Sequence, residues 1–143
     1  MLLAIDIGNT NVVCGLFEGS TLRGHWRMAT ESRRTDNEYG ILLLNLLQNA
    51  GFTPDQITGC VLSSVVPALT ATFDSVVQEY FHRTAVIVGP ETDSGLTLRY
   101  ANPKEIGSDR IVNAAAAYAR YHSDVIIVDF GTATTFCAVT KSA

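Results

Sequence analysis

Basic charge is scarce in this sequence: ten Lys and Arg stand against fourteen Asp and Glu, a formal net charge of −4 over 143 residues. With no basic run, there is no electrostatic footprint for nucleic acid or for an anionic membrane. A stretch of about 18 apolar residues is also missing, which speaks against a transmembrane helix. The N-terminus opens directly as strand-like MLLAID, without the basic segment or small-residue cleavage site of a signal peptide. Cysteine is limited to Cys14, Cys60 and Cys137, each inside an apolar run and none in a CxxC pair. An odd count in that setting predicts buried free thiols in a reducing cytoplasm, not a disulfide or a zinc site. His25, His82 and His122 are scattered, and none has a second ligand at metal spacing.

What is present is apolar: 47% of residues are hydrophobic and 17% charged, the balance of a globular protein with a packed core. Three strand candidates come first, at 2–6, 11–17 and about 21–28, with EGS between the last two as hairpin chemistry and Gly19 free to take positive φ. From Asp36 the spacing turns helical, with Asp36 as the expected cap and Gly51 after the end. A buried strand is predicted within 57–66, a helix over 67–81 with Pro67 in its first turn, and a further buried strand at 84–89. A long loop covers 90–103, and an alanine-rich helix runs from about Lys104 to Tyr121. DVIIVDF at 124–130 reads as a strongly buried strand. A meander followed by alternating strands and helices predicts an α/β fold: a mixed five-stranded sheet flanked by helices. The expected division is a first domain with its loop at 1–103, then a helix and the opening strands of a truncated second domain at 104–143. Aromatics Trp26, Phe73, Tyr80 and Phe81 fall at packing positions. Arg33 and Arg34 read as a solvated loop.

One pattern occurs twice. AIDIGNTNVV and IVDFGTATTF each carry an apolar strand, an Asp, a Gly two residues later, small polar residues and another strand. A phosphate needs backbone N–H groups at close range, hydroxyl or amide donors, and no bulky side chain in its way. Gly8, Asn9, Thr10 and Asn11 offer that in the first copy, and Gly131, Thr132, Thr134 and Thr135 in the second. Asp6 and Asp129 would repel phosphate directly, so their natural task is to hold a cation that screens it. One copy alone is best read as a hairpin with an Asp cap; two copies suggest paired turns gripping a polyphosphate between two related lobes. Neither a P-loop nor a GxGxxG motif is present. Between the copies lies GSDR at 107–110. There Asp109 and Arg110 either serve the helix start, with Arg110 exposed, or supply a base and a clamp for a substrate carboxylate or phosphate. On spacing alone these readings are evenly matched.

Taken together, DIGNTN at 6–11, GSDR at 107–110 and DFGTATT at 129–135 resemble the type III pantothenate kinase family in order and spacing. TESRRTDNEYG at 30–40 and SSVVP at 63–67 look similar as well. The resemblance implies two ribonuclease-H-like domains of the actin, sugar-kinase and heat-shock-70 superfamily. It also implies ATP-dependent phosphorylation of pantothenate, the first step towards coenzyme A. In that reading Asp6, Ile7, Gly8, Asn9, Thr10, Asn11, Val12 and Val13 hold the ATP phosphates, with Asp6 near the Mg2+, and Thr132 touches ATP. Tyr100, Gly107, Ser108, Asp109 and Arg110 bind pantothenate, Arg110 taking its carboxylate and Asp109 acting as general base. Asp129 holds a monovalent cation, K+ or NH4+. A cytoplasmic homodimer is implied for the full-length protein.

Two departures from the family pattern stand out. Ser108 replaces a more frequent Ala, which leaves Asp109 in place. The chain also stops after the opening of its second domain, so a fragment with an exposed strand edge, inactive alone, is expected. A non-catalytic regulatory relative of the same fold is the alternative, and the presence of Asp6, Asp109, Arg110 and Asp129 favours the enzyme. Actin-like ATPases and sugar kinases leave GSDR without a purpose.

Overall fold

The computed structural model describes residues 1–100, 102 and 105–141. The chain divides into two compact units, Met1–Ile87 and Val88–Ala143.

The first unit carries β1 (Leu2–Ile7), β2 (Asn11–Glu18), β3 (Thr21–Ala29), α1 (Asp36–Asn49), a short 3-10 turn (Pro54–Gln56), β4 (Gly59–Ser64), α2 (Pro67–Phe81) and β5 (Ala85–Ile87). Its five strands form the predicted mixed sheet in the order β3-β2-β1-β4-β5. The meander strands pair antiparallel, while β4 runs parallel to β1 and β5 parallel to β4. Alternation decides which side chains turn inward. Leu3, Ile5 and Ile7 of β1 and Val12, Cys14 and Leu16 of β2 join Tyr39, Leu43 and Leu47 of α1 and Leu69, Phe73 and Val77 of α2 in one core. The hairpin between β2 and β3 turns through Gly19 at φ +58, as EGS anticipates.

Helix α1 is fixed at both ends by its own sequence. Its cap is Thr35, one residue before the expected Asp36. Thr35 and Glu38 form a capping box, because T-x-x-E places the Glu38 carboxylate within reach of the cap's backbone N–H, 2.8 Å away. These hydrogen bonds hold the Glu38 carboxyl below its usual range. At the far end Gly51, at φ +83, closes the helix: Phe52 N–H donates to Leu47 C=O and Gly51 N–H to Gln48 C=O.

Midway along α1, Gly40 lies under the Tyr80 ring, whose hydroxyl donates to Asn37 Oδ1 at 2.8 Å. A Cβ at Gly40 would stand 2.3 Å from that ring. Although Ala is the better helix former by about 1 kcal/mol, overpacking against a ring body wins. Gly40→Ala is expected to lower stability by about 1–3 kcal/mol in urea unfolding. In a Tyr80→Ala background the same change should become neutral or stabilising; a penalty of equal size in both backgrounds would show that the ring is not its cause.

Three expectations of burial are corrected. The run at 84–89 yields only the three-residue β5, with Val86 57% and Ile87 45% exposed, because it forms an edge of its sheet. Cys137 is half-buried, unlike Cys14 and Cys60. The third concerns the second unit, which carries α3 (Ser108–Tyr121), β6 (Val125–Phe130) and β7 (Thr134–Val139). Helix α3 begins four residues later than expected, and Lys104 lies outside the described residues. Strand β6 pairs antiparallel with β7 alone among the described residues. Val125, Ile127 and Asp129 are half-buried, whereas Ile126 and Phe130 are 75% and 82% exposed. Its apolar run implied cover on both faces, but only the alternate residues have it.

Of the aromatics, Phe73 and Phe81 are buried, Tyr80 is half-buried, and Trp26 meets Phe52 edge-on with ring centroids 6.3 Å apart. Arg34 is half-buried and stacks over the Tyr39 ring at 5.1 Å, while Arg33 is exposed.

Burial raises the thiols of Cys14 and Cys60 from 9.0 to about 12 and about 11. Both should therefore stay protonated and resist alkylation at pH 8, while Cys137 reacts; peptide mapping after brief iodoacetamide treatment checks this. The unfolded chain releases these protons first, so their stabilisation is intact below pH 9 and declines as pH rises from there towards 12.

Candidate active site

In the first unit, β1 delivers Asp6 to the end of the sheet on the face opposite the helices, where its carboxylate is exposed. Ile7 and Val12 turn into the core and are fully buried, so only their backbone is available to a ligand. Gly8 N–H donates to Asn11 C=O at 3.0 Å, closing the turn and leaving Asn9 and Thr10 exposed at its tip. A Cβ on Gly8 would come within 3.2 Å of the Asn11 carbonyl, so glycine here serves the turn itself. Val13 sits half-buried opposite Asp6 on β2.

The second turn repeats this plan in shorter form. Asp129 is again the next-to-last residue of its strand, and Gly131 N–H donates to Ala133 C=O at 3.3 Å. Its strands join at Phe130 and Thr134, where those of the first turn join at Ile7 and Val12, so it is one residue tighter. Thr132 is exposed at the tip. Gly131 differs from Gly8 in one respect. A Cβ there would meet nothing closer than the Ala133 carbonyl at 3.6 Å, and its φ is outside the left-handed region. The fold does not require glycine at 131; open space over the turn does not need it either, unless something large approaches the backbone.

Asp129 is half-buried and accepts a hydrogen bond from Asn113 Nδ2 of α3 at 3.4 Å. Among the described residues no three His, Cys, Asp or Glu side chains gather as a metal cage.

Helix α3 starts from Gly107, which supplies no side-chain cap. Ser108 is buried; Asp109 and Arg110 are half-buried in the first turn. Asp109 Oδ1 accepts the Arg110 backbone N–H at 2.8 Å. The Arg110 guanidinium is not left to solvent. Its Nη1 donates to the Tyr100 hydroxyl at 2.5 Å, bringing together two side chains ten residues apart. They border a cavity of about 340 Å³ whose walls include Leu96, Leu98, Ile106, Ile111 and Phe136. An apolar chamber with a cation and a hydroxyl at its border suits a small acid with a hydrocarbon body. A second hollow, about 610 Å³, is lined by β6 from Val125 to Asp129 and by Asn113, Ala117 and Tyr121 of α3. We assign it no ligand.

Comparison with known proteins identifies the family and the fold. A family model described as type III pantothenate kinase matches residues 2–143. A Myxococcus xanthus protein of that name is 51% identical over 139 residues, 97% of this chain and 54% of its own length. One from Brevibacillus brevis is 48% identical over 143 residues, 100% of this chain and 56% of its own. The chain thus spans about half the length of these relatives. A solved structure from Porphyromonas gingivalis, bearing the name N-acetylglucosamine kinase, matches with a TM-score of 0.55 at 16% identity, over 99% of this chain and 45% of that one. At that identity the likeness concerns the fold alone, and it is the sugar-kinase, ribonuclease-H-like fold expected from the sequence.

Proposed function

This chain belongs to the type III pantothenate kinase family, and from that premise we propose that the full-length protein transfers the γ-phosphoryl group of ATP to the primary hydroxyl of pantothenate. The product, 4′-phosphopantothenate, leads to coenzyme A. The observation that carries this reading is the Tyr100–Arg110 pair beside an apolar cavity, with Asp109 adjacent. Arg110 binds the pantothenate carboxylate, oriented by Tyr100, and the apolar walls take its branched hydrocarbon portion. Asp109 accepts the hydroxyl proton as the oxygen attacks phosphorus.

The segment Asp6–Val13 holds the phosphates of Mg-ATP through backbone N–H groups at the turn tip, with Asp6 towards the magnesium; Thr132 contributes from the second turn. A monovalent cation, K+ or NH4+, supplies charge screening at Asp129. Phosphoryl transfer makes its main demand on positioning and charge stabilisation, which explains why so few titratable groups suffice. The working form is a cytoplasmic homodimer.

The test is ADP release from Mg-ATP by the full-length protein, with and without pantothenate and K+. Release that depends on both supports the kinase. A folded protein without pantothenate-dependent turnover would sink it and favour a non-catalytic relative.

A further inference from the structure

Thr30 follows the last residue of β3 and has no part in the roles assigned above. Its backbone N–H donates to Thr10 C=O at 3.1 Å, and its hydroxyl donates to Gly8 C=O at 2.7 Å. Two carbonyls of the first Asp-Gly turn are therefore clasped by one residue. A trans peptide is planar, so its C=O and the following N–H point in opposite directions. Holding the Gly8 carbonyl aims the Asn9 N–H away from Thr30, and holding the Thr10 carbonyl does the same for the Asn11 N–H.

Thr30 is itself anchored. The next residue, Glu31, donates its N–H to the Tyr39 hydroxyl at 2.8 Å, and that hydroxyl donates back to the Glu31 carbonyl at 3.2 Å. Tyr39 is fully buried in α1, with its ring against Phe73 at a centroid distance of 4.6 Å. A continuous path of hydrogen bonds and packing runs from the core through Tyr39 and Thr30 to the turn.

We propose that Thr30 is a positioning residue for the nucleotide: it presets the peptide planes of the first turn so that the Asn9 and Asn11 amides face the ATP phosphates. This rests on the reading that the turn at Asp6–Val13 binds ATP. Preset donors spare the ligand the cost of ordering them.

Thr30→Val keeps the side-chain shape and removes the hydroxyl; Thr30→Ser keeps the hydroxyl and removes the methyl. In the full-length protein, Mg-ATP affinity is measured by calorimetry without acceptor, alongside KM for each substrate and the thermal midpoint. With one hydrogen bond lost, Thr30→Val is expected to weaken Mg-ATP binding about five- to tenfold. Thr30→Ser should restore affinity to within about twofold, and KM for pantothenate should stay constant in both. Mg-ATP affinity unchanged in Thr30→Val overturns the proposal. So does equal damage in Thr30→Ser, or equal weakening of both substrates with a falling thermal midpoint, since either is the mark of packing. No Mg-ATP binding by the unsubstituted protein overturns it as well. Loss of affinity in Thr30→Val with recovery in Thr30→Ser sustains it even if pantothenate is not the acceptor.

Discussion

Asp109→Asn should cut pantothenate-dependent ADP release by about 10²- to 10⁴-fold, the usual contribution of a general base. The substitution keeps the side chain's size, and its amide oxygen can still accept the Arg110 N–H that Asp109 Oδ1 accepts at 2.8 Å. The start of α3 should therefore survive, and with it the Tyr100–Arg110 pair. What the amide cannot do is take a proton. A loose transition state asks less of its base than an associative one, which places the expectation in the lower half of that range. The loss should fall on kcat, with KM for both substrates within about threefold of the original. Near-normal kcat in Asp109→Asn would remove the base from the mechanism. A rise in KM for pantothenate alone would recast Asp109 as a binding group.

Gly131→Ala should lower kcat/KM for ATP by about 10²-fold, the scale of a small misplacement at a reacting centre, with little change in the thermal midpoint. The expectation comes from the contrast between the two turn glycines. At Gly8 a new Cβ would press on the Asn11 carbonyl at 3.2 Å, so a substitution there mixes turn distortion with ligand clash. At Gly131 the nearest atom is 3.6 Å away and the backbone is not left-handed, so the folded protein has room for a methyl group. Alanine also restricts the unfolded chain, which offsets small losses. If ATP phosphates lie against this turn, the methyl group occupies their space. A Gly131→Ala protein with unchanged kcat/KM for ATP would mean that the second turn does not contact the nucleotide. A steep fall in thermal midpoint would instead point to a structural need not visible in the unliganded fold.

Most of the first unit was legible because its signals are local. EGS marked the β2–β3 hairpin, and Pro67 marked the start of α2. Thr35 was legible too, since T-x-x-E is a capping box in the sequence; Asp36 only competes with it by proximity. Burial of β5 and β6 was not legible, because an apolar run tells nothing of how many neighbours a strand has. β5 ends a sheet, and β6 has one partner among the described residues. In the site, the repeated Asp-Gly pattern and GSDR were visible as spacing, but the contact between Tyr100 and Arg110 depends on how a loop folds back over a helix. Thr30 carried no signal beyond its place in a family-like segment. Its role emerges only when the β2–β3 register sets Ala29 opposite Asn11 and brings the next hydroxyl to the turn.

Trp26 is the chain's single tryptophan and belongs to the first unit, edge-on to Phe52. Within this chain, indole emission originates in the first unit, on β3 beside Phe52, and the segment that carries Tyr100, Asp109 and Arg110 holds no indole of its own. Tyr100, Tyr118 and Tyr121 are the natural optical reporters of that segment. Tryptophan emission is therefore a probe placed on β3, and a signal from an acid bound beside Arg110 is better sought from the tyrosines of its own segment.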